Sequence, residues 1–508
     1  MTFELSSRAG TAMRWRAAQL AGIQAIYFVR LLILARLLAP DAFGLLAIAT
    51  VALGVMLQLS DVGMIPALVQ RRNATVEHYN AAWTVGLLRA SLVAALLICA
   101  APAGARLFGE PRATPIIQAL ALRPIIEAAA SIGVARLTRE LRYRDLAFMY
   151  VPGAMIDMVT AITMAPSLGV WALVAGALAG AMTTTLLSYA FAPHRPGFVF
   201  RTEAIAPLVR FGRWVMLTGA VGLIGSTMLQ VVLSRRLGAG ALGQYFLASK
   251  VAGLPFSAVS AIVGSVALPL FVDLRDDAQR TAAAFRRLFT GQFLVLLPLY
   301  GTLLVLAPLL EEVLGPRWIG TAPVIRILGV VGVIGLLGDT LGPLFMAKGQ
   351  PYRTFVLEVV QMGILVAALL PMVSALGASG AAAAWLAGTT ASMLLGLVWL
   401  RRMLPGERVG NLAALAAAAF AALTGAAVAA LAGTARPLLL GLILGGACGV
   451  AVAATVLLVL NRLLGLELGE LASWLRGPTD GSAVDPNAHT ARTADGKPAR
   501  EAHERSTP

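Results

Sequence analysis

Apolar residues fall in long continuous runs separated by short polar breaks, and the runs repeatedly reach the roughly 20 residues that a helix needs to cross about 30 Å of hydrocarbon. About fourteen such runs occur. They lie near 15–38, 43–69, 81–103, 114–135, 146–167 and 169–192, then near 208–233, 242–271, 289–310, 322–347, 355–376, 378–400, 412–431 and 437–460. They are rich in Ala and Leu and lack the short alternating strands of a membrane barrel. The pattern therefore predicts an all-α integral membrane protein. The composition agrees, because 58% hydrophobic and 13% charged residues over 508 is too apolar for a water-soluble chain of that length.

The breaks carry the charge. One alternate set of loops holds roughly 22 Lys and Arg and the other roughly seven, so the richer set, with both termini, is expected on the cytoplasmic side. The net charge of +15 is thereby dispersed beside lipid, which favours anionic headgroups over nucleic acid as its partner. The first sixteen residues show no removable signal. From Gly477 to Pro508 the apolar periodicity is lost, and a disordered cytoplasmic tail is expected.

The chain also resembles itself. Leu34 to Thr50 aligns without gaps against Leu233 to Ser249, placing Arg36 on Arg235, Leu38 on Leu237 and Gly44 on Gly243. TPIIQAL at Thr114 resembles APVIRIL at Ala322, and Tyr143-Arg144 resembles Tyr352-Arg353. Two parallel repeats of six helices follow, with a central cavity between them and two extra helices after them. The expected divisions are a cytoplasmic segment at 1–14, a first bundle at 15–200, a second at 201–402, two further helices at 403–465 and the tail at 466–508.

Within the spans, charges are costly and mark candidate sites. Arg30 sits mid-helix with Gln24 and Tyr27 on its side and no acid within a turn, so an anionic partner from elsewhere is implied. Arg123 and Glu127 are four apart and can share a helix face, as a site or as a simple structural pair. Asp157 is central in the fifth span, Lys250 lies about a third of the way into the eighth, and Asp61 and Asp339 lie toward the cytoplasmic ends of theirs. Asp61 precedes Val62-Gly63 and also reads as a helix-end residue. Arg89, Arg326 and Glu358 are close enough to helix ends to snorkel and receive no role. Gly238, Gly240 and Gly243 satisfy GxGxxG without the strand that gives the motif meaning, and they read as a turn between spans. Cys99 and Cys448 read as packing residues, and the four histidines lack metal-ligand spacing, so neither a metal nor a cofactor is expected.

The stretch ARLLAPDAFGLLAIATVALGVMLQLSDVGMIPALVQRR, from Ala35 to Arg72, resembles the early signature of bacterial polysaccharide and O-antigen (Wzx-type) flippases of the multidrug/oligosaccharidyl-lipid/polysaccharide superfamily. AKGQPYRTF at Ala347 and LPLFVDLRDD at Leu268 add to the resemblance, which runs from about Ala18 to Arg402 in helix order. It implies a multi-pass protein of the bacterial inner membrane that moves a polyprenyl-diphosphate-linked oligosaccharide between leaflets by alternating access, working beside polysaccharide polymerase and export proteins. In the related lipid II flippases a cavity arginine stands before an Ala-Arg turn at the spacing of Arg30 before Arg36, so the resemblance implies a substrate-binding role for Arg30. Those relatives have another cavity arginine in the second helix, where this chain has leucine and methionine, so Lys250 or Arg123 would have to contribute. Asp61, Glu127, Asp157 and Asp339 are candidates to couple a cation. A drug/cation antiporter of the same superfamily, a membrane glycosyltransferase or polymerase, and a scaffold without transport are the alternatives. No large extramembrane loop of the kind such enzymes use is present, and an enzyme is not expected.

Overall fold

The computed structural model describes residues 2–60, 76–193, 197, 206–403, 412–434 and 437–464. Asp61, Arg71, Arg72 and the tail from Gly477 lie outside them. Among the described residues the regular structure is helical throughout. The helices are α1 (Thr2–Leu37), α2 (Pro40–Ser60), α3 (Val76–Leu107), the bent α4 (Pro111–Ala128 with Gly133–Arg139), α5 (Tyr143–Leu168) and α6 (Val170–Phe191). Then follow the two arms of the long helix Ala206–Asp273, here α7 (206–237) and α8 (239–273), α9 (Ala278–Leu314), α10 (Thr321–Ala347), α11 (Pro351–Leu376), α12 (Ala378–Met403), α13 (Leu412–Ala432) and α14 (Leu438–Leu464).

Eleven of these are long and apolar enough to cross a membrane, and the bent α4 makes twelve. The division of Ala206–Asp273 rests on Gly238, whose φ of 83° and ψ of 173° break the helix. Gln230 and Phe256 would stand about 39 Å apart on a straight helix at 1.5 Å per residue, yet both line one cavity. The chain therefore reverses at Gly238, and the whole is compatible with fourteen spans. The run expected to be continuous at 114–135 is instead broken, with its two parts bent by 64°. The backbone freed at the break is bonded from α6: the Ser131 N–H donates to Ser188 Oγ at 2.8 Å and Ser131 Oγ donates to the Ala192 carbonyl at 2.5 Å. Such bonds are what make a broken helix tolerable at membrane depth.

α1–α6 and α7–α12 form two lobes of the same plan. α4 begins with, and α10 follows, a 3-10 turn opened by proline, at Pro111–Ala113 and Pro316–Trp318. Gly109 and Gly315 hold positive φ just before those turns, and Gly169 and Gly377 hold it between α5 and α6 and between α11 and α12. These left-handed positions, which favour glycine, recur in register with the sequence repeat. α13 and α14 pack on each other and on α9, through close contacts of Gly425 with Gly449 and of Gly301 with Ala422. Small residues bring helices together where lipid offers no hydrophobic drive.

The lobes meet at the end that carries the α1–α2 and α7–α8 turns. There one hydrophobic cluster runs through both lobes, from Leu34, Phe43 and Ile48 to Leu242, Trp318 and Ile325. At the arginine-rich end the clusters separate, one around Leu146 and Met149 in the first lobe and one around Phe271, Phe285 and Phe345 in the second.

Candidate functional site

The lobe contact is built from the repeat itself. A Cβ on Gly44 would meet the Ala239 carbonyl at 1.9 Å, and one on Gly243 would meet the Pro40 carbonyl at 1.8 Å, so α2 and α8 lie backbone to backbone at two equivalent points. The arginines aligned by sequence cross over in the same way. Arg36 of α1 donates to the Val313 carbonyl at the end of α9, and Arg235 of α7 donates to the Leu107 and Arg106 carbonyls at the end of α3, at 2.7 and 3.0 Å. Each lobe thus caps helix-end carbonyls of the other that have no partner within their own helix. Trp318 Nε1–H donates to the Ala35 carbonyl at 2.7 Å and packs edge-on to Phe43, while Ser234 Oγ donates to the Phe108 carbonyl at 2.9 Å.

Deeper in the first lobe lies a charged cluster. Arg30 of α1 pairs with Asp157 of α5 at 2.9 Å, their side chains only 15% and 10% exposed. Asp157 is seated by two glycines of α6: a Cβ on Gly176 would come within 2.6 Å of its Oδ1, and one on Gly180 within 2.8 Å of its Cβ. Arg123 and Glu127 of α4 pair at 2.7 Å with side chains 42% and 48% exposed. Tyr27 sits in the electrostatic field of all four charges. The anionic partner from elsewhere in the chain that the isolation of Arg30 implied is Asp157, which lies 127 positions away in sequence and on a neighbouring helix in space.

The second lobe holds Lys250 and Asp339. Lys250 is exposed, with its Nζ 5.2 Å from the centre of the Phe246 ring, and no carboxylate among the described residues pairs with it. Asp339 of α10 accepts from Ser260 Oγ at 2.6 Å and from Gln292 Nε2 at 3.0 Å, and Thr340 Oγ1 donates on to Gln292 Oε1 at 3.2 Å. Its partners are neutral. Glu358, assigned no role as a residue near a helix end, instead lines a cavity inside this lobe with Gln361. The signal was present, since Glu358 and Gln361 are three apart on α11 and share a face. Arg89 and Arg326 bond backbone carbonyls, of Ser60 and Leu304. Cys99 is exposed and Cys448 half-buried, so Cys99 is not the packing residue expected of it.

The family model described as polysaccharide biosynthesis protein matches residues 33–323, more than half of the chain. The chain belongs to that family. Proteins of similar sequence include the lipopolysaccharide biosynthesis protein WzxC of Escherichia coli, 27% identical over 70% of this chain and 73% of that one. The succinoglycan biosynthesis transport protein ExoT of Rhizobium meliloti is 24% identical over 90% of this chain and 94% of its own. Among solved structures, the lipid II flippase MurJ in an inward closed conformation superposes with a TM-score of 0.67 at 12% identity, over 88% of this chain and 99% of that one. An inward-facing multidrug resistance MATE transporter superposes with a TM-score of 0.60 at 16% identity, over 75% and 94%. At those identities the likeness establishes the shared fold of two six-helix lobes. The polysaccharide biosynthesis family accordingly presents here as a multi-pass membrane protein whose first lobe keeps its interior charges in ion pairs, whose second lobe holds Lys250, Asp339 and Glu358 without ion pairs among the described residues, and whose lobes join at the α1–α2 and α7–α8 turns.

Proposed function

We propose that this protein is a flippase that moves a polyprenyl-diphosphate-linked oligosaccharide from the cytoplasmic to the periplasmic leaflet of a bacterial inner membrane. Family membership carries the reading, with relatives named for lipopolysaccharide synthesis and succinoglycan transport. The physics supports it, because a diphosphate and its sugars do not cross hydrocarbon unaided, whereas a polyprenyl tail stays in lipid. With the arginine-rich end cytoplasmic, the seam at Gly44 and Gly243 closes the periplasmic side, and rocking of the lobes opens it while closing the other.

In this mechanism Arg123 and Lys250, both accessible, take the incoming diphosphate first. Arg30 joins by exchanging Asp157 for phosphate oxygens, to which a guanidinium can bond in a bidentate way. Asp157 regains Arg30 when the substrate leaves. Of the carboxylates considered for cation coupling, Asp157 and Glu127 already neutralise arginines, which leaves Asp339 as the better candidate and Asp61 as a further one. Asp339 and Glu358, without cationic partners among the described residues, also favour a second reading as a cation-coupled drug antiporter.

Reconstitution separates the readings. Purified protein in liposomes should expose the lipid-linked oligosaccharide extracted from the producing cells to an impermeant lectin, and Arg30→Ala should abolish the exposure. Transport of cationic dyes with no effect on the glycolipid selects the antiporter.

A further inference from the structure

A cavity of about 570 Å³ lies among the six helices of the second lobe. That is within the range of roughly 300–1,000 Å³ typical of small-molecule sites. Its wall carries amides and hydroxyls, among them Gln230 of α7, Ser249 of α8, Gln361 of α11 and Thr389 of α12, alternating with the rings of Tyr245, Phe256 and Trp385. Glu358 is the one charged residue on that wall.

The chemistry of the wall selects its occupant. An amide both donates and accepts, and so does a hydroxyl. Gln361 spends one N–H on Thr389 Oγ1 at 3.3 Å and retains its oxygen and second N–H. Gln230 is half-buried and makes no hydrogen bond among the described residues. A diphosphate offers acceptors and negative charge only, so it is matched by arginines and repelled by Glu358. An organic cation would use Glu358 and the rings but leave both amides idle. Sugar rings use everything present: their hydroxyls pair with amides and the carboxylate, and their C–H faces lie against aromatic rings that are themselves apolar in body.

We propose that this cavity is a saccharide subsite, holding sugar units of the lipid-linked substrate while Arg30, Arg123 and Lys250 hold its diphosphate. Lys250 directly follows Ser249 in α8 and lies outside the cavity lining, with its ammonium over the Phe246 ring one turn before it. The assignment rests on the flippase reading. It also gives a reason for the difference between lobes, since the two halves of one substrate differ in the same way.

Binding measurements on the purified full-length protein in nanodiscs test it, with undecaprenyl diphosphate alone and the diphosphate-linked oligosaccharide lipid extracted from the producing cells as the two probes. The wild type should bind the sugar-bearing lipid about tenfold or more tightly than the bare one, equivalent to about 1.4 kcal/mol. Gln361→Leu and Trp385→Leu should bring that ratio toward one without changing affinity for undecaprenyl diphosphate. Gln230→Ala removes an amide with no bond to lose and should shrink the ratio with the melting temperature unchanged, so the test survives if Trp385→Leu misfolds. Equal wild-type affinity for both lipids, or variants that weaken both lipids alike, overturns the subsite and leaves the flippase standing. Wild-type protein that binds neither lipid but binds tetraphenylphosphonium overturns the flippase reading itself.

Discussion

The two lobes repeat each other's backbone and differ in how they manage polarity. Where they touch, equivalence is close: Gly44 faces Ala239 as Gly243 faces Pro40, and Arg36 and Arg235 cap each other's neighbours. Inside, the first lobe keeps its charges in two ion pairs, Arg30 with Asp157 and Arg123 with Glu127, whereas the second surrounds Asp339 with Ser260 and Gln292 and lines a cavity with amides. Symmetry is held where both halves share one surface and one carbonyl-to-helix spacing. It is released where each half has its own interior to fill. A flippase whose substrate has a charged end and a neutral end has a use for two unlike interiors.

The sharpest way to break this comparison is to remove a charge from the first lobe. Arg30→Ala leaves Asp157 buried without its partner and should cost about 3–5 kcal/mol, read as a lowered melting temperature in detergent. The double variant Arg30→Met/Asp157→Leu should recover most of that stability and none of the transport. Normal transport by the double variant would reduce the pair to a structural element.

The next largest effect tests the symmetric seam. Gly44→Ala or Gly243→Ala places a methyl against a carbonyl that cannot yield and should cost about 1–3 kcal/mol through overpacking. Thiol labelling of a cysteine introduced at Phe43 should then rise as the seam opens. Gly338→Ala, whose Cβ would meet only the flexible Met393 side chain at 3.1 Å, should leave labelling unchanged.

Asp339→Asn replaces a carboxylate by a group that can still accept from Ser260 and should cost about 1–2 kcal/mol. If the second lobe couples a cation, transport by this variant loses its dependence on an imposed gradient. The smallest effect belongs to Arg112, whose exposed side chain pairs with Asp41 and with the less exposed Glu110, both contacts at 2.9 Å. Arg112→Ala should change stability by less than about 1 kcal/mol, because its guanidinium is exposed and screened, and transport should stay near wild type.

Apolar run length determined the membrane class and the helix order, because hydrocarbon thickness imposes one length on every span and tolerates few charges within it. The internal match at Leu34 and Leu233 likewise anticipated the twofold plan, and its aligned arginines and glycines turned out to be the residues that join the lobes. The spacing of Arg123 and Glu127 already showed that pair, but tertiary structure alone decided which acid neutralises Arg30. Arg30 and Asp157 meet because α1 packs directly on α5 while Gly176 and Gly180 of α6 leave room to seat Asp157, and Glu358 faces a cavity because six helices leave one there. Periodicity reports which face of a helix a residue occupies, but the partner across that face comes from another helix, at a sequence distance that local pattern does not encode.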